Sequence, residues 1–121
     1  MKVIIAGSRH MPFSMYPLIG EAVKRSGFNI TEEVCGMARG ADMYGGKWAR
    51  ENGIPVKKFP ANWDEHGKAA GPLRNKEMGD YADAAIIFIW DGSRGSANMA
   101  AYMEKIGKPT YIVYNGEFPN E

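Results

Sequence analysis

The stretch "AAIIFIW", residues 84 to 90, decides the fold of this chain because it is the most apolar run in the sequence. It is far shorter than the about 20 residues that a membrane-spanning helix needs, and its β-branched and aromatic side chains favour a buried strand. A second run, "KVIIAG", residues 2 to 7, is continuously apolar from Val3 to Ala6. Such runs are typical of strands that are covered on both faces of a parallel sheet. We therefore place both stretches at the centre of one sheet.

Helical and strand patterns alternate along the rest of the chain. The further elements that we predict are helices from Ser14, as N-cap, to Ser26, from about 41 to 51, from Pro72 to about 82 and from about 97 to Ile106, and strands at 28–36, 55–59 and 110–114. Lys57 and Lys58 favour an edge position for the strand at 55–59. Strict alternation with right-handed crossovers predicts a single Rossmann-like α/β domain over residues 1–121. Its five parallel strands are expected in the order 3-2-1-4-5, with helices on both faces.

Composition excludes several classes of function. Fifteen basic and fourteen acidic residues leave a formal net charge of +1, so no overall field attracts nucleic acid or a membrane surface. The one cysteine, Cys35, has no partner for an internal disulfide and is expected to be a small core residue. No signal-peptide pattern is visible at the start of the chain. We expect a cytoplasmic protein that acts on neither membranes nor nucleic acid.

The predicted topology places a crevice beyond the carboxyl ends of the first and fourth strands, because their chains depart there in opposite directions. Two segments are expected to build this crevice, namely "GSRHMPF" at 7–13 and "DGSRGS" at 91–96. Its side walls are expected from "GMARGAD" at 36–42 and from a long loop at 60–71. A ligand is therefore expected between these four segments.

Four of the six arginines lie in these segments or in the first turn of the next helix, namely Arg9, Arg39, Arg74 and Arg94. A helix N-terminus carries about half a positive charge and favours acidic residues, so this placement inverts the usual rule. An anion resolves the conflict, since guanidinium groups, free backbone amides and close-packing glycines together suit a phosphate. The alternative is local pairing of Arg39 with Asp42 and of Arg94 with Asp91, and both interpretations stay open.

The candidate site residues follow from this phosphate hypothesis. The ligand-binding candidates are Gly7, Ser8, Arg9, Gly36, Arg39, Gly40, Asp42, Trp63, Lys68, Gly71, Arg74, Asn75, Asp91, Gly92, Ser93, Arg94, Gly95 and Ser96. Asp42 is either a helix cap or a ligand of ribose hydroxyls, and Trp63 either stacks on a base or packs over the sheet edge. If the chain has a catalytic carboxylate, the candidates are Asp42 and Asp91.

Other cofactor chemistry is not indicated. The segment after the first strand lacks the G-x-G-x-x-G spacing of dinucleotide-binding redox enzymes, and no G-x-x-x-x-G-K-[ST] loop is present. His10 and His66 are expected to be solvated. Together with Asp42 and Asp91 they do not show the sequence spacing that is typical of metal ligands. We expect no metal and no required cofactor, only a nucleotide-type ligand.

The motifs carry a family resemblance over almost the whole chain. "GSR", "GMARGAD", "GKAAGPLRNKEM", "ADAAIIFIWDGSRGSANM" and "GKP" resemble the YpsA-related subgroup of the SLOG superfamily, which is named after the Smf, DprA and Lonely Guy families. The string "HGKAAGPLRN", residues 66 to 75, makes the match to the subgroup specific. The resemblance implies a Rossmann-like domain that binds nucleotide-derived ligands such as ADP-ribose derivatives, often as a homo-oligomer, in bacteria and phages.

The Lonely Guy enzymes within this superfamily cleave the N-glycosidic bond of nucleoside monophosphates. Arg74, Met78 and Asp83 match the register of their pattern, and "DGSRGS" resembles their phosphate loop P-G-G-x-G-T-x-x-E. The final glutamate has no counterpart, because Asn98 and Met99 stand where it is expected. The phosphate-binding half of the pattern is therefore present without its carboxylate.

Three functions follow as expectations. The first is a sensor or sequestering protein for a phosphorylated nucleotide derivative of the ADP-ribose or cyclic-nucleotide type, which family context links to phage action against host signalling. The second is a hydrolase that cleaves an N-glycosidic or phosphate bond in the same pocket. The third, single-stranded DNA binding, is disfavoured by the near-neutral charge.

Overall fold

A computed structural model describes residues 1–119 of the chain. The strands are β1 Lys2–Gly7, β2 Glu32–Cys35, β3 Val56–Lys58, β4 Ala84–Ile89 and β5 Thr110–Tyr114. The helices are α1 Pro17–Ser26, α2 Ala41–Glu51, α3 Trp63–His66, α4 Ala70–Tyr81 and α5 Arg94–Lys105, and short 3-10 turns cover Phe13–Met15 and Gly67–Ala69. Strands and helices alternate as the sequence predicts.

All five strands pair in parallel in the order β3-β2-β1-β4-β5, which confirms the predicted topology. The register aligns Ile5 of β1 with Ile86 of β4, so the two most apolar strands are neighbours at the centre. β3 is an edge strand, and Lys57 and Lys58 on it are exposed, as expected for charges that protect a sheet edge. The Rossmann-like fold class is thus established for this chain.

Two apolar clusters lie on opposite faces of the sheet. Ile4 and Ile87 pack with Met78 of α4 and with α5, whereas Ile5 and Ile86 pack with α1 and α2. Every residue of β4 is buried, because successive side chains point to opposite faces and helices cover both. This arrangement leaves the carboxyl ends of the strands as the open edge of the domain.

The first helix begins later than predicted. Ser14 is not its N-cap, because Ser14 lies in the 3-10 turn and α1 starts at Pro17 with Tyr16 as N-cap. The amide of Tyr16 donates to the carbonyl of Phe13. Pro17 has no backbone N–H group, so it leaves no donor unpaired at the start of the helix. The prediction failed because proline at the first helical position is a stronger start signal than a serine three residues earlier.

The second strand is shorter than the predicted 28–36. It covers only Glu32–Cys35. Its neighbours β1 and β3 start at Lys2 and Val56, which pair with Glu32 and Glu33, so residues 28–31 have no strand beside them. Thr31 instead donates its amide to the carbonyl of Met1. Residues 28–31 therefore lead into the sheet from outside it.

Most of the predicted loop at 60–71 is helical, because residues 63–71 lie in α3, in the 3-10 turn and at the start of α4. Asn62 accepts the amide of Glu65 and donates to its carboxylate, a reciprocal capping pair that starts α3. α4 begins at Ala70, two residues before Pro72, and α5 begins at Arg94, inside the segment predicted as a loop. Within residues 1–119, no helix has the length and apolar character to cross a membrane.

Candidate functional site

A cavity of about 720 Å³ opens at the carboxyl ends of β1 and β4. It lies where the strand order reverses, the usual ligand position in open α/β sheets. Its volume falls within the range of about 300–1,000 Å³ that is typical of small-molecule sites. The walls come from the segment after β1, the start of α2, helices α3 and α4, and the turn from β4 into α5.

The segment after β1 is held rigidly on the sheet. A Cβ at Gly7 would collide with the backbone carbonyl of Phe88, so the two strands approach too closely for any side chain there. Ser8 is fully buried, its amide donates to Phe88, and its carbonyl accepts the amide of Ala41. Arg9, by contrast, is exposed at the mouth of the cavity, so a fixed backbone presents a free guanidinium to it.

Asp42 is buried on the cavity wall, with 4% of its surface exposed. Its Oδ1 accepts the amide of Gly7 at 3.2 Å, and its Oδ2 accepts the amide of Ala38 at 3.3 Å. The carboxylate thus joins the segments that follow β1 and β2. Burial raises the pKa of Asp42 to about 6, although Arg74 and the two amides favour the charged form.

This geometry bears on the two roles expected for Asp42. It lies in the first turn of α2, but the N-cap of that helix is Gly40, and Asp42 accepts amides from outside the helix. Gly40 has a φ of 74° and lies against the carbonyl of Ser8, a position that only glycine fits. Asp42 therefore organises the site backbone and does not cap α2 in the predicted manner.

Arg74 lies on the wall in the first half of α4 and is only partly exposed. Its Nη1 donates to the carbonyl of Gly36, and its Nε donates to Oδ1 of Asn75 at 3.1 Å. A Cβ at Gly36 would lie 2.6 Å from Asp42 Oδ2 and 2.9 Å from Arg74 Nη1. Gly36 therefore contributes by having no side chain, which lets the carboxylate and the guanidinium face each other.

The N-terminus of α5 completes the cavity. Ser93 is its N-cap, Ser96 is buried, and their hydroxyl oxygens are 3.0 Å apart. No acidic residue occupies the first turn, and Arg94 is exposed there. Free first-turn amides with serine hydroxyls and an arginine form an arrangement suited to a phosphate.

Neither local ion pair expected from the sequence forms. The ion pairs found in residues 1–119 include none between Arg39 and Asp42 and none between Arg94 and Asp91. Asp91 is exposed and has a φ of 51°, and its amide donates to Asn115 Oδ1 at 3.0 Å. The arginines of the cavity are thus not neutralised by the acids nearest in sequence.

The structure divides the predicted site residues into two groups. Those that line the cavity are Gly7, Ser8, Arg9, Asp42, Trp63, Gly71, Arg74, Asn75, Asp91, Ser93, Arg94, Gly95 and Ser96. Those that do not are Gly36, Arg39, Gly40, Lys68 and Gly92. Gly36 and Gly40 shape the backbone behind the wall, and Arg39 is exposed outside it. Lys68 lies on the exposed 3-10 turn because residues 63–69 are helical and not an extended wall.

Several wall residues were not among the candidates, including Met78, Asn98 and Met99; Trp90, which the sequence places near the crevice with either a core or a site role, also lines the cavity. The two methionines form an apolar floor beside the polar groups. Helical spacing could have found Met78 and Asn98, which lie one turn after Arg74 and Gly95 on the same helix faces. His10 also lines the cavity, whereas His66 does not.

Trp63 is half-exposed and lies at the edge of the cavity. Its ring covers Gly71, where a Cβ would come within 3.3 Å of the indole. The exposed part of the indole is available to a ligand, so stacking on a base stays a prediction beside packing over the sheet edge.

A second buried carboxyl lies behind Asp42. Glu33 of β2 is fully buried, and neither of its oxygens has a partner with hydrogen-bond geometry in residues 1–119. Burial, followed by the charge of Asp42, raises the pKa of Glu33 to about 8, while Arg50 acts in the opposite direction. The signal in the sequence was the pair of adjacent glutamates, because a strand covered on both faces must bury one of them.

Cys35 is buried beside these carboxyls, as expected. Its Sγ lies 3.5 Å from the carbonyl of Asp42, and burial raises the pKa of the thiol to about 12. No group of three or more His, Cys, Asp or Glu side chains in residues 1–119 is arranged to hold a metal ion. The chemistry that the cavity offers is therefore that of hydrogen-bond donors and cationic side chains.

Comparison with known proteins identifies relatives of this chain. A family model described as the YspA, cpYpsA-related SLOG family matches residues 1–66. The chain is also 34% identical to the Gene 61 protein of Mycobacterium phage D29 over 126 residues, which cover 98% of each chain. No solved structure matches. A model that covers more than half of the chain and a relative of nearly equal length agree with the motifs around the cavity, and the chain therefore belongs to the YspA, cpYpsA-related SLOG family.

Proposed function

We propose that this protein binds a phosphorylated, nucleotide-derived small molecule and acts as a sensor or sequestering protein. The observation that carries the proposal is the convergence of Arg9, Arg74 and Arg94 on one cavity, none of them in an ion pair within residues 1–119. Guanidinium groups beside the N-terminus of α5 favour an anion with several acceptor oxygens. A phosphate has that chemistry.

The remainder of the cavity supports the nucleotide part of the proposal. Met78, Met99 and Trp90 line it with apolar side chains, and Trp63 is a half-exposed aromatic residue on its wall. Stacking on a tryptophan is available to every nucleobase. Membership of the SLOG family suggests nucleotide-related ligands, so we propose an ADP-ribose-type molecule or a cyclic nucleotide.

We also propose a biological role for this protein. A relative of nearly equal length is encoded by a phage, which supports a role in opposing host nucleotide signalling. We further propose a cytoplasmic homo-oligomer that needs no cofactor and has no nucleic-acid partner. This last point is consistent with the formal charge of +1.

The hydrolase alternative depends on a carboxylate that can act on the ligand. Asp42 has a pKa near the working range of a general acid, but both of its oxygens already accept backbone amides. Asp91 is exposed at the mouth of the cavity. This arrangement favours binding over cleavage, and the first experiment distinguishes the two.

That experiment is mass spectrometry of small molecules that heat releases from the purified protein. In parallel, the protein is incubated with nucleoside monophosphates, ADP-ribose and cyclic nucleotides. The proposal predicts an intact ligand near one per chain and no consumption of any member of the panel. Release of a free base or of ribose phosphate would instead establish a hydrolase.

Two arginine variants test the anion site. Arg74→Ala is expected to weaken binding of the released ligand by roughly 10- to 100-fold, the usual cost of a charge-assisted contact. Arg39→Ala serves as the matched control, because Arg39 comes from a neighbouring wall segment but is exposed outside the cavity. Equal affinity of the parent and Arg74→Ala would refute the role of this cavity in anion binding.

A further inference from the structure

The guanidinium of Arg74 is anchored on two sides by protein groups. Nη1 donates to the carbonyl of Gly36, and Nε donates to Oδ1 of Asn75. An arginine offers five N–H donors, so these two bonds leave the Nη2 edge and one Nη1 hydrogen unassigned. A guanidinium held in this way has already lost much of its rotational freedom before any ligand arrives.

Asn75 directs both amide hydrogens and its side-chain oxygen at protein groups. Its Oδ1 accepts from Arg74, and its Nδ2 donates to the carbonyl of Gly95 at 3.3 Å and to Oδ1 of Asn98 at 3.1 Å. The reverse orientation of the amide would set its NH₂ against the Nε–H donor and its oxygen against two acceptors. Only one orientation therefore satisfies all three partners.

This amide connects the two parts of the cavity that are suited to an anion. Arg74 belongs to α4, whereas Gly95 and Asn98 belong to the first turns of α5. Asn75 is 9% exposed, so water competes little for these bonds. The ligand-binding role that the sequence predicts for Asn75 has only the second lone pair of Oδ1 left to use, because both amide hydrogens have protein partners.

We propose that Asn75 is a positioning residue whose amide fixes the Arg74 guanidinium relative to the N-terminus of α5, so that both meet the same anion of the ligand. The anion rests on the proposed function, whereas the fixation exists without ligand. Because Asn75 acts through Arg74, its effect on affinity must disappear when Arg74 is absent.

The first test needs no ligand. In nitrogen-labelled protein, the Nε–H resonance of Arg74 is expected to be resolved and protected from exchange in the parent. Asn75→Leu keeps the side-chain volume but removes the acceptor, and the protection should be lost. Asn75→Asp retains an acceptor for Nε and should keep it. Asn52→Ala is the matched control, since Asn52 donates to the carbonyl of Trp48 at the far end of α2.

The second test uses inorganic phosphate as the probe, titrated by chemical shift. Asn75→Leu is expected to weaken phosphate binding roughly tenfold in the parent background and not at all in the Arg74→Ala background. Asn52→Ala should bind phosphate as the parent does. Equal losses in both backgrounds, or full Nε–H protection in Asn75→Leu, would overturn the positioning role.

The two proposals fail separately. A parent that binds no phosphate, with the Nε–H signal behaving as expected, would refute the anion site while supporting the hold of Asn75 on Arg74. If Asn75→Leu does not fold, Asn75→Ala, which also removes the acceptor, decides the question. Full Nε–H protection in that variant would overturn the proposal, and its loss would support it.

Discussion

Glu33→Gln is expected to make the protein more stable above neutral pH and to flatten the dependence of its stability on pH. The carboxyl of Glu33 is fully buried, and neither oxygen has a partner with hydrogen-bond geometry in residues 1–119. Burial and the charge of Asp42 raise its pKa from 4.5 to about 8, although the backbone amide of Ile5 and the charge of Arg50 act in the opposite direction. An acid whose pKa is raised on folding imposes no electrostatic cost at low pH, where both states hold the proton. Stability then falls as the pH increases from 4.5 to about 8, because the unfolded chain ionises first.

The size of this effect follows from the two pKa values. Each pH unit between them corresponds to about 1.4 kcal/mol, so ionisation of Glu33 costs up to roughly 5 kcal/mol at high pH. About 3 kcal/mol of this loss is already present at pH 7. Glutamine has almost the same shape and does not ionise, so the variant escapes the loss. Between pH 5 and pH 9 the parent should therefore lose about 4 kcal/mol more than Glu33→Gln.

Urea-induced unfolding, followed by tryptophan fluorescence across that pH range, measures the difference. Glu104→Gln is the control, because Glu104 is an exposed glutamate on α5 and its replacement should leave the curve of stability against pH in place. Asp42 also makes the stability depend on pH, in the range between its ordinary pKa of 3.8 and its raised pKa of about 6. This dependence is the same in the parent and in both variants, because all three proteins contain Asp42. Parallel curves for the parent and Glu33→Gln would refute the assignment of a neutral buried acid.

Three further changes test the site. Gly36→Ala places a Cβ 2.6 Å from Asp42 Oδ2 and 2.9 Å from Arg74 Nη1, so we expect a loss of about 1–3 kcal/mol in unfolding free energy together with weaker binding of the released nucleotide. Asp42→Asn sets an NH₂ group against one of the two amides that the carboxylate accepts, which should cost about 1–3 kcal/mol in urea unfolding. Trp63→Ala should change stability by less than about 0.5 kcal/mol, because the side chain is half-exposed, yet weaken nucleotide binding by roughly 1–3 kcal/mol in calorimetry. A Trp63→Ala protein that binds nucleotide like the parent would exclude stacking on this indole.

The sequence pattern within each segment was sufficient to predict the order of strands and helices, because most segments carry a strong signal of their own. The run at 84–90 is apolar on both faces, and paired lysines mark β3 as an edge strand. Boundaries were less predictable where two signals competed. Ser14 and Pro17 both mark a helix start, and the glycines and serines around Arg94 resemble a loop although they form the first turn of α5. At the start of α1 the proline was the stronger signal.

The site was predictable at the level of segments but not of individual side chains. Arg39 and Arg74 satisfy the same sequence rule, a cation near a helix start, and only the packing of α4 against the segment after β2 brings Arg74 onto the wall. Glu33 and Asn75 are polar residues whose surroundings come from distant parts of the chain. No spacing within the sequence encodes such contacts.

The motif residues of this family site divide between building the cavity and serving the ligand. Gly36 leaves space, Asp42 accepts two amides, and Asn75 donates both of its amide hydrogens within the protein. Each of these residues uses its polar capacity or its missing side chain on the protein itself. The groups left for a ligand are mainly donors, in particular the guanidinium groups of Arg9 and Arg94 and the amides at the start of α5. The carboxylate of Asp42 is occupied by protein amides and that of Asp91 is exposed, whereas the guanidinium groups of Arg9 and Arg94 form no ion pair within residues 1–119. This excess of cationic donors is a stronger reason to propose an acceptor-rich ligand such as a phosphate than the presence of any one motif.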